Sequence, residues 1–322
     1  MLIRASIGTL AKLGMVNIKM LESPKTAYLL QYSPSGCIAS CTFCPQSKES
    51  TSSKEMLSRI RWPLVDLNKL TNLIFEKDKC FERICIQNVL KEGFEEELLN
   101  IIQIIKQKEI KIPISLALSP VDKSFLQEAR RKGVDGIGIG LDAASPKILI
   151  EIRKPYDWNE YWDFINRSIE VFGRRKVNVH LIFGLGETEL EFVSALQKVY
   201  DAGAEASLFP FTPVPGTRAE CKEKPHIVRY RVMQIIRYLL SKGFKLNEIA
   251  YFEGEKTVLI EGPWLKGIKE AFLTAGCPGC NRPFYNESPS LIYNYPSLTM
   301  LEKDLEILKD QLSIAGLNLE VI

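Results

Sequence analysis

The sequence predicts an α/β fold: a partial (β/α)6, TIM-like barrel followed by a C-terminal extension. Three observations carry this reading. Strand-like and helix-like patterns alternate from about residue 26 to about residue 220, which implies parallel strands joined by helical crossovers. Each predicted strand has one bulky apolar face and one face of small or polar side chains. Beyond residue 220 the alternation stops, yet no Gly/Ser-rich or charged linker intervenes, so the remainder reads as an extension packed on the barrel. The expected organisation is an N-terminal extension over 1–25, a barrel over 26–220 and an extension over 221–322.

The composition supports a globular chain. It has 322 residues, 46% hydrophobic and 25% charged, enough to bury roughly three quarters of its unfolded surface. Disordered, collagen-like and mini-protein classes are excluded. A formal charge of +3 gives no argument for a polyanionic partner, so nucleic acid is not expected. No apolar run reaches the ~18 residues of a membrane span, and no signal peptide is evident, so a soluble cytoplasmic protein is expected.

The predicted strands are 27–32, 83–89, 114–119, 136–142, 177–183 and 206–211, with helices at 65–76, 95–108, 123–132, 161–172 and 189–202 between them. Period-2 reading separates the strand faces. Ile84 and Ile86, Ile114 with Leu116 and Leu118, Ile137 with Ile139 and Leu141, and Val177 with Val179, Leu181 and Phe183 make faces suited to covering helices. The opposite faces carry Cys85 and Gln87, then Ser115, Ala117 and Ser119, then Gly138, Gly140 and Asp142, then Asn178, His180 and Gly184. A packed barrel core wants bulky branched residues. Small polar groups fit an open interior that holds a ligand, with chemistry at the carboxyl ends of the strands. The extension reads as a helix at 227–242, a strand pair at 248–252 and 256–260, a further helix, the stretch GCPGCNRPFYNESPS and a terminal helix at 301–312, the whole closing the barrel mouth.

Eight cysteines stand against two histidines. They are too sparse for a disulfide scaffold, and their clustering points to metal ligation in a reducing compartment. Cys37, Cys41 and Cys44 form a C-x3-C-x2-C run after the first barrel strand. Three thiolates on one loop suit three irons of a cubane [4Fe–4S] cluster, with the fourth iron left open. The alternative is a zinc knuckle or incidental thiols, but zinc closes a structural site with four ligands and no fourth Cys or His is near in sequence.

This loop, with Phe43 before its third Cys and a β/α pattern behind it, resembles the radical S-adenosylmethionine superfamily, most closely its biotin synthase branch, over roughly 26–220. The resemblance implies that the open iron chelates S-adenosylmethionine and that one electron cleaves it to methionine and a 5′-deoxyadenosyl radical. It implies cofactor contacts from Phe43, Gln87 and His180. Asp142 in LDAAS is similar to the ribose-binding carboxylate, and Gly184 and Gly186 in FGLGET to glycines that let backbone approach the nucleoside. TPVPGT at 212–217 resembles the end of the sixth strand. No catalytic residue beyond the cluster ligands is implied.

Biotin synthase holds a second cluster with inward cysteines on three strands; here Cys85 is kept, while Ser115 and Asn178 stand at the other two places. A new pair, Cys277 and Cys280, follows near the C-terminus. It is read as binding an auxiliary Fe–S cluster together with Cys85, making two [4Fe–4S] clusters per chain. Cys221 is the expected fourth ligand, with Ser288 or Ser290 as the oxygen alternative. Cys80 is read as structural, and His180 equally as a hydrogen-bonded interior residue.

The barrel combined with CPGCNRPFYNESP resembles the two-protein lipoyl synthase of archaea. That implies a sulfurtransferase acting at C6 or C8 of an octanoyl chain on a lysine of a lipoyl carrier protein, with a second radical enzyme and an electron donor such as ferredoxin. The alternatives are a biotin-synthase-like enzyme, a radical methylthiotransferase acting on RNA, and a non-catalytic Fe–S scaffold. The scaffold leaves Asp142, the glycine motifs and the hollow inner face without purpose.

Overall fold

The computed structural model describes residues 1–77 and 79–317. The chain opens with strand β1 (Leu2–Ala5) and helix α1 (Ile7–Lys12), then enters β2 (Thr26–Leu30). A hairpin of β3 (Met56–Leu57) and β4 (Ile60–Arg61) and the strand β5 (Leu64–Asp66) precede α2 (Leu67–Glu76). The barrel continues as β6 (Arg83–Gln87), α3 (Phe94–Gln107), β7 (Ile114–Leu118), α4 (Lys123–Arg131) and β8 (Val134–Asp142). It then runs through α5 (Pro146–Glu151), α6 (Trp158–Phe172), β9 (Val177–Phe183), α7 (Glu189–Ala202) and β10 (Glu205–Pro210). The extension comprises α8 (Ile227–Ser241), α9 (Leu246–Ile249), a hairpin of β11 (Ala250–Glu253) and β12 (Lys256–Leu259), two 3-10 turns, α10 (Leu298–Lys303) and α11 (Leu305–Ile314).

Among the described residues the main sheet has eight strands in the order β10-β9-β8-β7-β6-β2-β1-β5. The six predicted strands are all present and pair in parallel from β2 to β10. Side-chain chemistry sets the helix starts: Asp157 and Thr188 make reciprocal capping boxes with Glu160 and Glu191, each satisfying donors the first turn leaves free. The period-2 reading of the faces holds. Ile84, Ile86, Ile114, Leu116, Ile137, Ile139, Val177 and Val179 are fully buried in the layer between sheet and helices.

Three expectations need correction. Residues 1–25 are more than an extension, because β1 joins the sheet antiparallel to both β2 and β5. The predicted terminal helix is two helices that meet at Asp304, and the helix expected after the β11–β12 hairpin is two 3-10 turns, Pro263–Leu265 and Lys269–Phe272. The extension also does not cap the mouth alone. Its stretch 276–287 runs along the side of the barrel left open between β2 and β10. At the amino ends of the strands, Arg83 Nε donates to the Pro278 carbonyl (2.9 Å) and Thr26 Oγ1 to the Gly279 carbonyl (3.0 Å). Midway, Arg282 lies over the Phe209 ring (3.9 Å) while its N–H donates to Tyr28 Oη (3.0 Å). At the carboxyl ends, Thr212 Oγ1 donates to the Asn286 carbonyl (2.7 Å), and Arg59 Nη1 to the carbonyls of Phe284 (3.0 Å) and Glu287 (2.6 Å).

Helix α8 holds that stretch in place. It is buried on most sides, between β10 and the C-terminal segments, and Arg231 at its centre has no exposed surface. The guanidinium donates to the carbonyls of Ile292 (2.7 Å) and Tyr293 (2.5 Å), to Gln234 Oε1 (2.8 Å) and to Gln311 Oε1 (2.8 Å). Burying a cation is tolerable only when its donors are satisfied in this way. Arg231→Ala removes the donor from four acceptors, of which, among the described residues, only the Tyr293 carbonyl keeps another, Gln234 Nε2 (2.9 Å), and is expected to lower unfolding stability by about 3 kcal/mol; a shift in the urea midpoint of the metal-free protein measures it.

Candidate active site

The inner face of the barrel encloses a cavity of about 290 Å³. It is lined by the side chains singled out on that face: Cys85 and Gln87 from β6, Ser115 and Ala117 from β7, Gly138, Gly140 and Asp142 from β8, and His180 from β9. Cys44 and Phe43 border it from the loop after β2, and Cys277 and Cys280 from the stretch that closes the side. Cys44 of the three-cysteine loop and the three cysteines Cys85, Cys277 and Cys280 therefore border one cavity.

The loop carrying Cys37, Cys41 and Cys44 is folded by its backbone. Cys37 N donates to the Gln46 carbonyl (2.7 Å), Ile38 N to the Leu90 carbonyl (2.9 Å) and Lys48 N to the Ala39 carbonyl (2.8 Å). The Lys54 ammonium donates to the carbonyls of Pro45, Ser47 and Ser50 (3.1, 2.7 and 3.1 Å). Gly36 has φ +78°, and a Cβ there would lie 2.6 Å from the Gln46 carbonyl oxygen, so the turn into Cys37 requires glycine. Burial pushes the Cys44 thiol up to about 12, with Cys41 adding to it. Burial also raises Cys41, against the opposing pull of Lys154.

The second set lies deeper. Cys85 sits within β6, and Cys277 and Cys280 approach from the open side. Burial raises Cys85 and Cys277, the latter to about 11, and each is raised further by its cysteine neighbours. The Ser115 hydroxyl leans toward both thiols and pulls them down slightly, without reaching hydrogen-bond geometry to either. Tyr28 Oη lies 3.4 Å from Cys280 Sγ. Tyr28, Trp62 and Tyr285 pack edge to face, with ring centroids 4.8 and 5.9 Å from that of Tyr285, and Cys37, Cys85 and Cys280 pack against this group.

These surroundings fit thiolate-bound metal. Burial keeps Cys41, Cys44, Cys85 and Cys277 neutral, and a metal that replaces their protons removes that penalty. Among the described residues, no three His, Cys, Asp or Glu side chains are gathered as a single metal ion would require. A structural zinc needs four ligands around one ion, whereas a cubane spreads its thiolates over several irons.

Asp142 ends β8 after a register irregularity and has φ +64°. A bulge re-aims a side chain in this way, and here it turns the carboxylate toward Lys154 Nζ (2.7 Å). Burial alone would lower Lys154, but Asp142, Tyr161 and Cys41 outweigh it and hold the ammonium charged. The pair places one anion and one cation between the three-cysteine loop and the inner face. His180 packs edge-on against Phe209, with centroids 5.2 Å apart. Burial depresses its imidazole to about 4, against the pull of Asp142, so it is a neutral ring.

Other expected site residues lie elsewhere. Gly184 and Gly186 are not among the cavity-lining residues; the former has φ +102° and faces Pro225, and the latter has φ +124° near Ile148. Their turn is folded by the Glu187 carboxylate, which accepts from Gly184 N (2.6 Å) and Leu185 N (2.9 Å). Cys221 is exposed and does not line the cavity. Ser288 Oγ pairs with Ser290 Oγ at 2.8 Å on the exposed side and also lies off the cavity. Neither expected fourth ligand is therefore brought to Cys85, Cys277 and Cys280. The residues missed from sequence are Tyr28, Lys54, Lys154 and Arg282. Tyr28 had a signal, being inward by period 2, and Arg282 follows Cys280 by two positions; the lysines had none.

The sequence profile of the Radical SAM superfamily matches residues 32–199, just over half the chain. No curated protein matches. Among solved structures, methylornithine synthase (PylB) is similar with a TM-score of 0.51 and 14% identity, over 66% of this chain and 62% of that one. The FeFe-hydrogenase maturase HydG from Carboxydothermus hydrogenoformans is similar with a TM-score of 0.50 and 16% identity, over 69% and 53%. These identities show a shared fold, and the chain spans less than two thirds of the length of either.

His180 supplies a pH test. Its folded pKa lies near 4 against an ordinary 6.5, so the unfolded chain takes up the proton first. The stability it contributes is present above pH 6.5 and is lost as pH falls toward 4, about 3 kcal/mol over that window. Denaturation of wild type and His180→Gln across the window should show a shallower acid loss in the variant; equal slopes would contradict a buried neutral imidazole.

Proposed function

Because this chain belongs to the Radical SAM superfamily, we propose that it is a sulfur-inserting enzyme whose substrate is an octanoyl chain on a lysine of a lipoyl carrier protein. A second radical enzyme of the same pathway and an electron donor such as a ferredoxin complete the reading. The observation that carries it is the meeting of Cys85, Cys277 and Cys280 on the cavity that Cys44 also borders. A radical enzyme that only cleaves its cofactor has no use for a second set of buried thiols. A non-catalytic carrier has no use for the enclosed cavity or the Asp142–Lys154 pair.

In this proposal Cys37, Cys41 and Cys44 hold the radical cluster and Cys85, Cys277 and Cys280 an auxiliary one. When bound, these groups and S-adenosylmethionine supply a 5′-deoxyadenosyl radical and a source of sulfide. The chain positions and protects. Asp142 accepts the ribose hydroxyls, held in place by Lys154. Phe43 and Gln87 border the same space, and His180 presents an uncharged ring that neither repels a sulfonium nor donates a labile cationic proton. Tyr28, Trp62 and Tyr285 keep water from the second thiol set. Ala117, Gly138 and Gly140 remove side-chain bulk from the inner face, which leaves room for a flexible aliphatic arm. Each sulfur added breaks one C–H bond of the chain and forms one C–S bond.

Mass spectrometry of an octanoyl-lysine peptide incubated anaerobically with the reconstituted protein, S-adenosylmethionine and dithionite tests the reading. The expected products are 5′-deoxyadenosine and peptide bearing one added sulfur. Cys277→Ala is expected to retain 5′-deoxyadenosine formation and lose the sulfur-bearing product. Release of 5′-deoxyadenosine by wild type with no sulfur in the peptide, even with the partner enzyme present, would refute this substrate.

A further inference from the structure

Three thiols leave the fourth position of a cubane to another donor, and the structure narrows the choice. Cys221 is exposed and Ser288 is paired with Ser290, both away from the cavity. Of the polar groups around Cys85, Cys277 and Cys280, the Arg83 guanidinium is committed to Asp135 (2.5 Å) and the Pro278 carbonyl (2.9 Å). Tyr28 Oη already accepts the Arg282 N–H (3.0 Å). Ser115 is different. It is 1% exposed, and its hydroxyl has no hydrogen-bond partner among the described residues. A buried hydroxyl without a partner is destabilising, so its retention at an inward position beside the thiols calls for a ligand.

Position supplies the second line of argument. Ser115 is the direct parallel-strand neighbour of Cys85, one Cα facing the other across β6 and β7, and both side chains reach the same cavity as Cys277. Ser207 on β10 is also buried and unpartnered, and its hydroxyl lies near Gly276 and Cys280, but it is four strands from β6 in the sheet, whereas Ser115 leans toward both Cys85 and Cys277.

We infer that Ser115 Oγ is the fourth protein ligand of the cluster held by Cys85, Cys277 and Cys280, an inference that rests on the auxiliary-cluster reading above. On binding, the O–H bond breaks, an Fe–O bond forms, the proton leaves to solvent and no iron changes oxidation state. An alkoxide is a harder donor than a thiolate, which makes one iron of the four chemically distinct and the first to exchange.

The test separates the inference from its foundation. The full chain with Cys37, Cys41 and Cys44 all changed to Ala, reconstituted anaerobically, should bind about four iron and four sulfide per chain and give a [4Fe–4S] EPR signal on reduction. No bound cluster there overturns the auxiliary-cluster reading and the ligand with it. In that background Ser115→Ala should lose its unprotected iron on mild oxidation, dropping to about three iron with a [3Fe–4S] EPR signal. Ser115→Cys should keep all its iron and shift the spectrum of the reduced cluster. Ser207→Ala should match the parent. If Ser115→Ala matches the parent in iron retention and spectrum, or if Ser115→Cys loses the cluster as Ser115→Ala does, Ser115 is not a ligand.

Discussion

The architecture turns on one closure. A six-stranded parallel sheet curls too little to meet itself, and the inner face of this one is lined with thiols, glycines and polar side chains rather than with a packed core. Left open between β2 and β10, that face would fill with water. The stretch 276–287 closes it through Tyr28, whose ring packs against Tyr285 and whose hydroxyl accepts the Arg282 N–H beside Cys280. Arg282 in turn lies over Phe209 on the opposite strand. The same segment thus spans the inner face from β2 to β10 and delivers two of the buried cysteines, so the closing contact and the second thiol set come from one stretch of chain.

Closure of this kind has an electrostatic counterpart. Desolvation raises Cys41, Cys44, Cys85 and Cys277, so as bare thiols they are neutral and inert. Each cation near them has its own acceptors: Lys54 donates to three loop carbonyls, Lys154 to Asp142, and Arg83 to Asp135 and Pro278. None is free to form a lasting ion pair with a thiolate. The protein therefore holds the thiols in place without ionising them, and ionisation is left to whatever metal they bind. The arrangement favours loading after the fold has formed around the loop and the closing stretch.

Much of this was legible in the sequence because strand periodicity is a strong signal on a barrel with two unlike faces. Period 2 put Cys85, Ser115, Gly138, Asp142 and His180 on one surface, and they line one cavity. The parts that were not legible share a cause. Leu2–Ala5 is too short to show a period, and its place between β2 and β5 is set by antiparallel pairing with Leu29 and Leu30 on one side and with Leu64–Asp66 on the other. Gly184 and Gly186 look like a nucleoside approach in sequence, yet the Glu187 carboxylate folds them into a turn against Pro225. Cys221 follows the sixth-strand loop and Ser288 follows the C-x2-C pair in sequence, yet both lie off the cavity. Spacing along the chain does not say which loops the extension carries inward, and the closing stretch brings Cys277 and Cys280 while leaving Ser288 on the outside.

Buried polar groups are treated differently from place to place in this fold. Arg231 has four acceptors around its guanidinium, and α6 and α7 begin on full capping boxes. On the inner face Ser115, Asn178 and Ser207 are each buried with a polar atom lacking a partner. Alanine at these positions would spare that cost, and Ala117 shows that the face accepts alanine without loss of the strand. What sets Ser115 and Ser207 apart from other unpartnered groups such as Ser168 and Thr257 is that they border the cavity beside the second thiol set, where a bound group can reach them. Stability is concentrated in the apolar layer between sheet and helices, where Ile84, Ile114, Ile137 and Val177 are fully buried.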